Sequence, residues 1–228
     1  MTVTSKQPDK WLVLGLSLSL FATTLFWFPP VAGNLLPTGI VARNVCSQAI
    51  DWGVAFLLIA IVVFGECKPI SSLGFKRPKI ETLYEAFGLV GFFFIGMVGW
   101  KLLVSPWFPD IPLPSGKPAA GELPKHFFFW YAPLSLLTSS FAEEIIYRGY
   151  AMKRLLESFA SPWPGILVPH TAFALMHLKD GLENAAMAFC IGSLMTWYFY
   201  KTKNLTLLIL AHFIIDLLAI VGSLAGVD

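Results

Sequence analysis

The sequence predicts an all-α, polytopic transmembrane bundle of about seven spans, within a range of six to eight. Three observations carry that expectation. First, 56% of the 228 residues are hydrophobic and only 13% charged, with a mean hydropathy of +0.69. A soluble domain carries about 25% charged residues, so a surface this poor in charge needs lipid as its main solvent. Second, seven long apolar stretches recur along the chain, as expected for helices crossing a hydrocarbon layer. Third, the loop cations alternate in density from one side to the other.

The stretches run over about 11–28, 49–65, 84–104, 127–142, 166–178, 185–200 and 205–226. The first follows Lys6 and Lys10 and precedes Val31, Ala32 and Gly33, which could pass for a signal-peptidase site. Signal h-regions are usually ~7–15 residues. This stretch is longer and holds Trp27, so a retained helix is expected. The fourth and fifth stretches are short and interrupted by polar residues. Between the third and fourth, residues 105–125 carry prolines at 106, 109, 112, 114, 118 and 124. Such a segment is neither helix nor central strand, and reads as a stiff extracytoplasmic connector, a spacer or a gate for substrate.

The cations set the orientation. With the N-terminus inside, Lys6, Lys10, Lys68, Lys76, Arg77, Lys79, Arg148, Lys153, Arg154, Lys201 and Lys203 face inward. Arg43, Lys101, Lys117, Lys125 and Lys179 face outward, giving eleven against five. The positive-inside rule then places the N-terminus in the cytoplasm of a multi-pass membrane protein. Residues 1–228 are expected to form a single membrane domain, with three N-terminal spans over 11–104 and a second region over 127–222. The net charge of +2 gives no reason to expect a nucleic-acid partner. Cys46, Cys67 and Cys190 lack metal-site spacing, and neither terminus carries a myristoylation or prenylation motif.

Ionisable residues inside apolar stretches are costly and read as functional by default. Three places qualify. At the end of the fourth stretch, Glu144 and Arg148 stand at i and i+4, so they can pair and neutralise each other without drawing on Glu143. On an α-helix Glu143 lies about 100° round from Glu144 and shares its face with Tyr147 and Tyr150. A carboxylate so placed suits general-base work; a solvated helix end running into Lys153 and Arg154 is the plainer reading. In the fifth stretch His170, Phe173 and His177 form one stripe, either a core histidine pattern or part of a site. In the seventh, His212 and Asp216 are neighbours at i and i+4. Asp216 can accept from the imidazole and fix its tautomer, or both can face a shared water.

No zinc-protease His-Glu-x-x-His motif and no Gly-x-Ser-x-Gly elbow is present. Ser139 and Ser140 precede the glutamates without a mark of nucleophilicity. The expected apparatus is a carboxylate and imidazoles acting on water.

Taken in order, Glu143-Glu144 with Arg148, Phe173 with His177, and His212 with Asp216 resemble the motifs of the CPBP family. These are the CAAX-prenyl-protease and bacteriocin-processing intramembrane proteases, also called Abi. The resemblance covers about residues 127–222 and leaves the first three spans unassigned. It implies an intramembrane endopeptidase acting on a peptide or membrane-protein substrate. Glu143 would activate water with help from His177, His212 and Asp216 would stabilise the oxyanion or position the water, and Glu144 with Arg148 would hold the site together. The family's third motif usually ends in Asn. An aspartate donates to an oxyanion only when protonated, so orientation of His212 is the better role for Asp216. The family admits metal-dependent and metal-free readings. If a metal such as zinc bound here, Glu143, His177 and His212 would hold it with an open water position; no cofactor is expected to be required.

Two other classes use the same residues. Glu143, His177 and Asp216 could form the relay of a proton-coupled transporter, although two matching halves with broken helices are missing. A non-catalytic scaffold or immunity protein of the same fold is the other. Counted by spans, Glu143 lies near the inner end of its helix and His177 near the outer end of the next. They meet only if the Glu143 helix sits deeper or residues 162–178 do not cross fully.

Overall fold

The computed structural model describes residues 10–22, 37, 40–108 and 125–224, and these form seven helices with no strand among them. The signal-peptidase-like triplet at 31–33 and five of the six connector prolines, from Pro109 to Pro124, lie outside the described residues.

Helix α1 (Lys10–Ser17) is drawn on by a π turn at Leu18–Ala22, and α2 (Ile40–Ala60) ends in another at Ile61–Gly65. A 3₁₀ turn at Ile70–Leu73 leads to α3 (Ile80–Leu103). Helix α4 comprises Lys125–Leu137, a π-helical stretch at Thr138–Met152, and Lys153–Ser158. Then follow α5 (Trp163–Met176) with a 3₁₀ turn at His177–Asp180, α6 (Leu182–Thr202) and α7 (Leu205–Leu224). The described part of each of the seven apolar stretches therefore lies on a helix or its closing turn, but α2 starts earlier than its stretch and α4 runs on well past Ala142.

The starts and stops follow local chemistry. A proline in its first turn opens α5, where the missing N–H costs nothing. Lys203 adopts φ +48° and returns its N–H to Phe199 O, stopping α6. Asn204 then caps α7 through Leu207 N–H at 3.2 Å. The loop before α3 is locked onto this α6–α7 turn. Leu205 N–H donates to Gly74 O at 2.9 Å, and Lys76 exchanges hydrogen bonds with Thr206 at 3.0 and 2.8 Å. Gly74 sits at φ +100°, where a side chain would be strained.

Helix α4 is the axis of the bundle and packs against α1, α2, α5 and α7. Every residue from Glu144 to Met152 is buried. Gly149 permits the close approach on one side, since a Cβ there would stand 2.9 Å from Leu205 Cδ2 and 3.3 Å from Leu73 O. The core gathers Leu58, Val62, Leu89, Ile145, Phe199 and Leu208 around this axis.

The outside is apolar too. Phe64, Phe92, Ile95, Leu102, Trp107 and Trp130 are all well exposed. Among the described residues two helical spans, Val45–Gly65 and Ile80–Trp107, are long and apolar enough to cross a bilayer, each with a hydropathy of 2.0. Helices α1 and α7 contain shorter apolar runs.

The continuity of α4 also answers how deep Glu143 lies. Glu143 stands fifteen residues before the end of α4 at Ser158, while His177 stands fourteen after the start of α5 at Trp163. The two arms of this antiparallel hairpin are nearly equal, so the residues come level. Glu143 is at mid-helix and not at its inner end. Arg148 and Arg154 belong to this helix and are buried, which removes both from the loop cations counted above and leaves nine inward against five outward.

Candidate active site

The site begins with a change of helical register. Pro133 lies inside α4 and has no N–H to give. Two of the hydroxyls that follow, on Thr138 and Ser140, then cap carbonyls of the preceding turn. Thr138 Oγ1 donates to Leu134 O at 2.8 Å, Ser140 Oγ to Leu136 O at 2.6 Å, and Ser139 Oγ lies 3.0 Å from Ser135 O. Side-chain donors of this kind compete with the backbone ladder. The ladder widens to i→i+5 at this point, and π segments of such length are rare.

The wider turn decides which side chains reach the cleft. Tyr131, Ser135, Ser139 and Glu143 of α4 line it together with His177, with His212 and Asp216 of α7, and with Leu136, Ala219 and Ile220; its volume is ≈ 270 Å³. The face that an α-helical step would give Glu143 is not kept. Tyr147 is fully buried, with its hydroxyl on Met176 Sδ at 3.4 Å and its ring edge-on to Phe173. Tyr150 reaches instead to Glu66 Oε1 at 2.7 Å.

Beneath the cleft lies a buried ion pair. Arg148 Nη1 stands 3.1 Å from Glu144 Oε1, with side-chain exposures of 2% and 0%. The guanidinium also covers the Phe173 ring at 4.0 Å. Glu144 Oε1 accepts a second hydrogen bond, from His212 Nδ1 at 3.0 Å. Asp216 stays beside His212 at ion-pair distance and shares its cleft, but the hydrogen bond that orients the imidazole goes to Glu144. The imidazole turns its Nδ1 across the α4–α7 interface to the buried carboxylate, so Glu144 fixes its tautomer. Asp216 Oδ2 is 3.7 Å from Nε2, too far for a hydrogen bond, and takes a hydrogen bond from Ser139 Oγ. Glu144 Oε2 and Arg148 Nη2 are buried with no hydrogen-bond partner among the described residues.

The two histidines of α5 separate. His177 Nδ1 is 2.9 Å from Phe173 O. A carbonyl only accepts, so Nδ1 carries the proton and Nε2 keeps its lone pair. His170 is buried against α6, with Nε2 on Phe189 O at 2.8 Å and Nδ1 on Thr196 Oγ1 at 3.0 Å. Both nitrogens are thereby satisfied, and His170 is a core residue outside the cleft.

Among the described residues no three His, Cys, Asp or Glu side chains are grouped to hold a metal ion. Glu143, His177 and His212 border one cleft without forming such a donor set, and no step below passes through a metal. Sequence reasoning missed Ser139, Ser135 and Tyr131 as cleft residues. The signal was present in Thr138, Ser139 and Ser140 following Pro133, a pattern that loosens an α-helical ladder.

Residues 125–218 match the family model described as type II CAAX prenyl endopeptidase Rce1-like. The matched span opens with α4 and closes within α7, so it holds all six ionisable residues of the three motifs. No curated protein and no solved structure matches the chain. The match agrees with the resemblance carried by the ordered motifs, and the three helices before α4 lie outside it. Over residues 125–218, less than half of its length, the chain is similar to the Rce1-like family of type II CAAX prenyl endopeptidases.

Proposed function

We propose that the protein is an intramembrane endopeptidase in which Glu143 activates a water molecule for attack on a peptide bond. The observation that carries this reading is the convergence of Glu143, His177, His212 and Asp216 from three separate segments on one cleft. The family match over the same residues supports it. Glu143 takes a proton from water while His177 Nε2 accepts from the same water and aims it. The new C–O bond forms as the carbonyl becomes an oxyanion. As an imidazolium, His212 donates Nδ1–H to Glu144 and Nε2–H to that oxyanion. The C–N bond then breaks, and the proton held by Glu143 passes to the leaving amine. Glu144 and Arg148 act from beneath by fixing the orientation of the His212 ring and opposing its charge. No cofactor takes part in this scheme.

The chain is read as one membrane domain whose seven helices sit in a bilayer, N-terminus in the cytoplasm. Exposed aromatic residues at both ends of the bundle support that seat. Trp107 and Trp130 mark one end, Tyr84 and Trp163 the other, as rings do at membrane interfaces. From Tyr84 to Trp107 a helix rises about 35 Å at 1.5 Å per residue, close to the roughly 30 Å of a hydrocarbon core. The substrate is a peptide or membrane protein reaching the cleft from the lipid.

Comparing membrane peptides from cells that carry the wild-type protein with those from cells carrying Glu143→Gln tests this reading. Cleavage products present with the wild type and absent with the variant are expected, at equal amounts of inserted protein. Identical peptide sets would contradict it, and substrate flux into vesicles lost with Asp216→Asn would point to the transporter class.

A further inference from the structure

We propose that Ser139 is the positioning residue that holds Asp216 away from His212 Nε2, so keeping that nitrogen open to the cleft. The inference rests on the peptidase reading of the same cleft. Ser139 is one of three consecutive hydroxyls, and the other two are spent on the backbone. Thr138 donates to Leu134 O and Ser140 to Leu136 O, and neither borders the cleft. Ser139 has a single hydroxyl proton and three acceptors within reach: Ser135 O at 3.0 Å, Leu136 O at 3.3 Å and Asp216 Oδ2. Leu136 O already receives Ser140, and a carboxylate is a stronger acceptor than a peptide carbonyl.

The geometry around Asp216 gives that bond its consequence. Asp216 follows His212 by one turn of α7, and its Oδ2 lies 3.7 Å from Nε2. A small rotation of the side chain would close this gap to a hydrogen bond and occupy the nitrogen that faces the reacting group. Ser139, on the α4 wall, donates to that same oxygen and holds it short of Nε2. Ser139 also stands four residues before Glu143 on the π stretch, and both line the cleft. One hydrogen bond therefore sets the second pole of the site relative to the helix that carries the base.

The test pairs a spectroscopic arm with a kinetic arm on the purified full-length protein in phosphatidylcholine vesicles. Infrared difference spectra of protein carrying ¹³C-carboxyl aspartate compare wild type with Ser139→Ala, each with and without Asp216→Asn. The kinetic arm follows the fastest-cleaved member of a quenched-fluorescent peptide library. Ser139→Ala is expected to shift one aspartate carboxyl band, a shift missing in the Asp216→Asn background. It is also expected to lower kcat about tenfold, the scale of one charge-assisted hydrogen bond, with little change in KM. Ser139→Thr, which keeps the hydroxyl, should restore most of kcat, whereas its isostere Ser139→Val should not. That pair decides the matter if the alanine variant fails to accumulate. Absence of the band shift, or equal kcat for the Thr and Val variants, overturns the proposal. A band shift in a wild-type protein that cleaves no peptide would sink the peptidase reading while leaving the positioning of Asp216 intact.

Discussion

Helix α4 carries two buried arginines six residues apart, and their surroundings differ. Arg154 is saturated. Its Nε and Nη2 reach Glu66 Oε2 at 2.8 Å, Nη2 also reaches Ser72 Oγ at 3.1 Å, and Nη1 reaches Glu157 Oε2 at 3.3 Å. Tyr150 completes the cluster by donating to Glu66 Oε1 at 2.7 Å. Arg148 has one carboxylate oxygen and a ring face, and both Arg148 Nη2 and Glu144 Oε2 lack hydrogen-bond partners among the described residues. A fully satisfied buried pair rigidifies the parts it joins, whereas spare donors and acceptors invite water or change. The lower cluster rivets α2 to α4. In the proposed mechanism the upper one acts through His212.

The largest expected effect breaks the rivet. Arg154→Leu leaves the buried Glu66 with only Lys68 Nζ, 4.0 Å away, as a cation, which costs roughly 3–5 kcal/mol. Denaturant or thermal unfolding in detergent would show it, and adding Glu66→Leu should recover most of the loss. A drop below about 1 kcal/mol would mean the cluster is not a rivet. Next comes the upper pair. Glu144→Gln keeps an acceptor for His212 Nδ1–H but loses the charge opposite Arg148. Stability should fall by about 1–3 kcal/mol, and cleavage per folded molecule by more than that fall explains. Equal effects on both readouts would make the two pairs alike.

A smaller contrast separates the histidines of α5. His170→Ala strands Phe189 O and Thr196 Oγ1 and should cost about 1–3 kcal/mol, with cleavage per folded molecule unchanged. A specific loss of cleavage would place His170 in the site. The smallest effect belongs to Lys68, whose pair with Glu157 at 3.1 Å is exposed on both sides. Lys68→Ala should change stability by no more than about 1 kcal/mol, and less in high salt; a larger change would extend the rivet to the surface.

How much of this was legible in the sequence depended on range. Seven apolar stretches marked the helices, and the i, i+4 spacing marked Glu144 with Arg148, because both signals are local. Glu66 and Arg154 are 88 residues apart, and nothing local joins them. The same limit turned Arg154 from a loop cation into a buried strut. The end of the fourth stretch was placed at Ala142 because two glutamates break the hydropathy there. The helix continues since Glu144 is neutralised within it and Glu143 opens to a cleft. Ser139 carried no readable role because its meaning arises from the π register and from Asp216, 77 residues away. His212 was matched to its near neighbour Asp216, whereas its hydrogen bond goes to Glu144, 68 residues distant.

The central claim is that Glu143 is the base of a hydrolytic cleft. Its most direct test is cleavage of a quenched-fluorescent peptide library by the purified protein in vesicles, wild type against Glu143→Gln and His177→Ala. The account predicts a loss of at least about 10²-fold for Glu143→Gln, the lower end of general-base contributions, with unfolding midpoints close to wild type. Undiminished cleavage by both variants would contradict it.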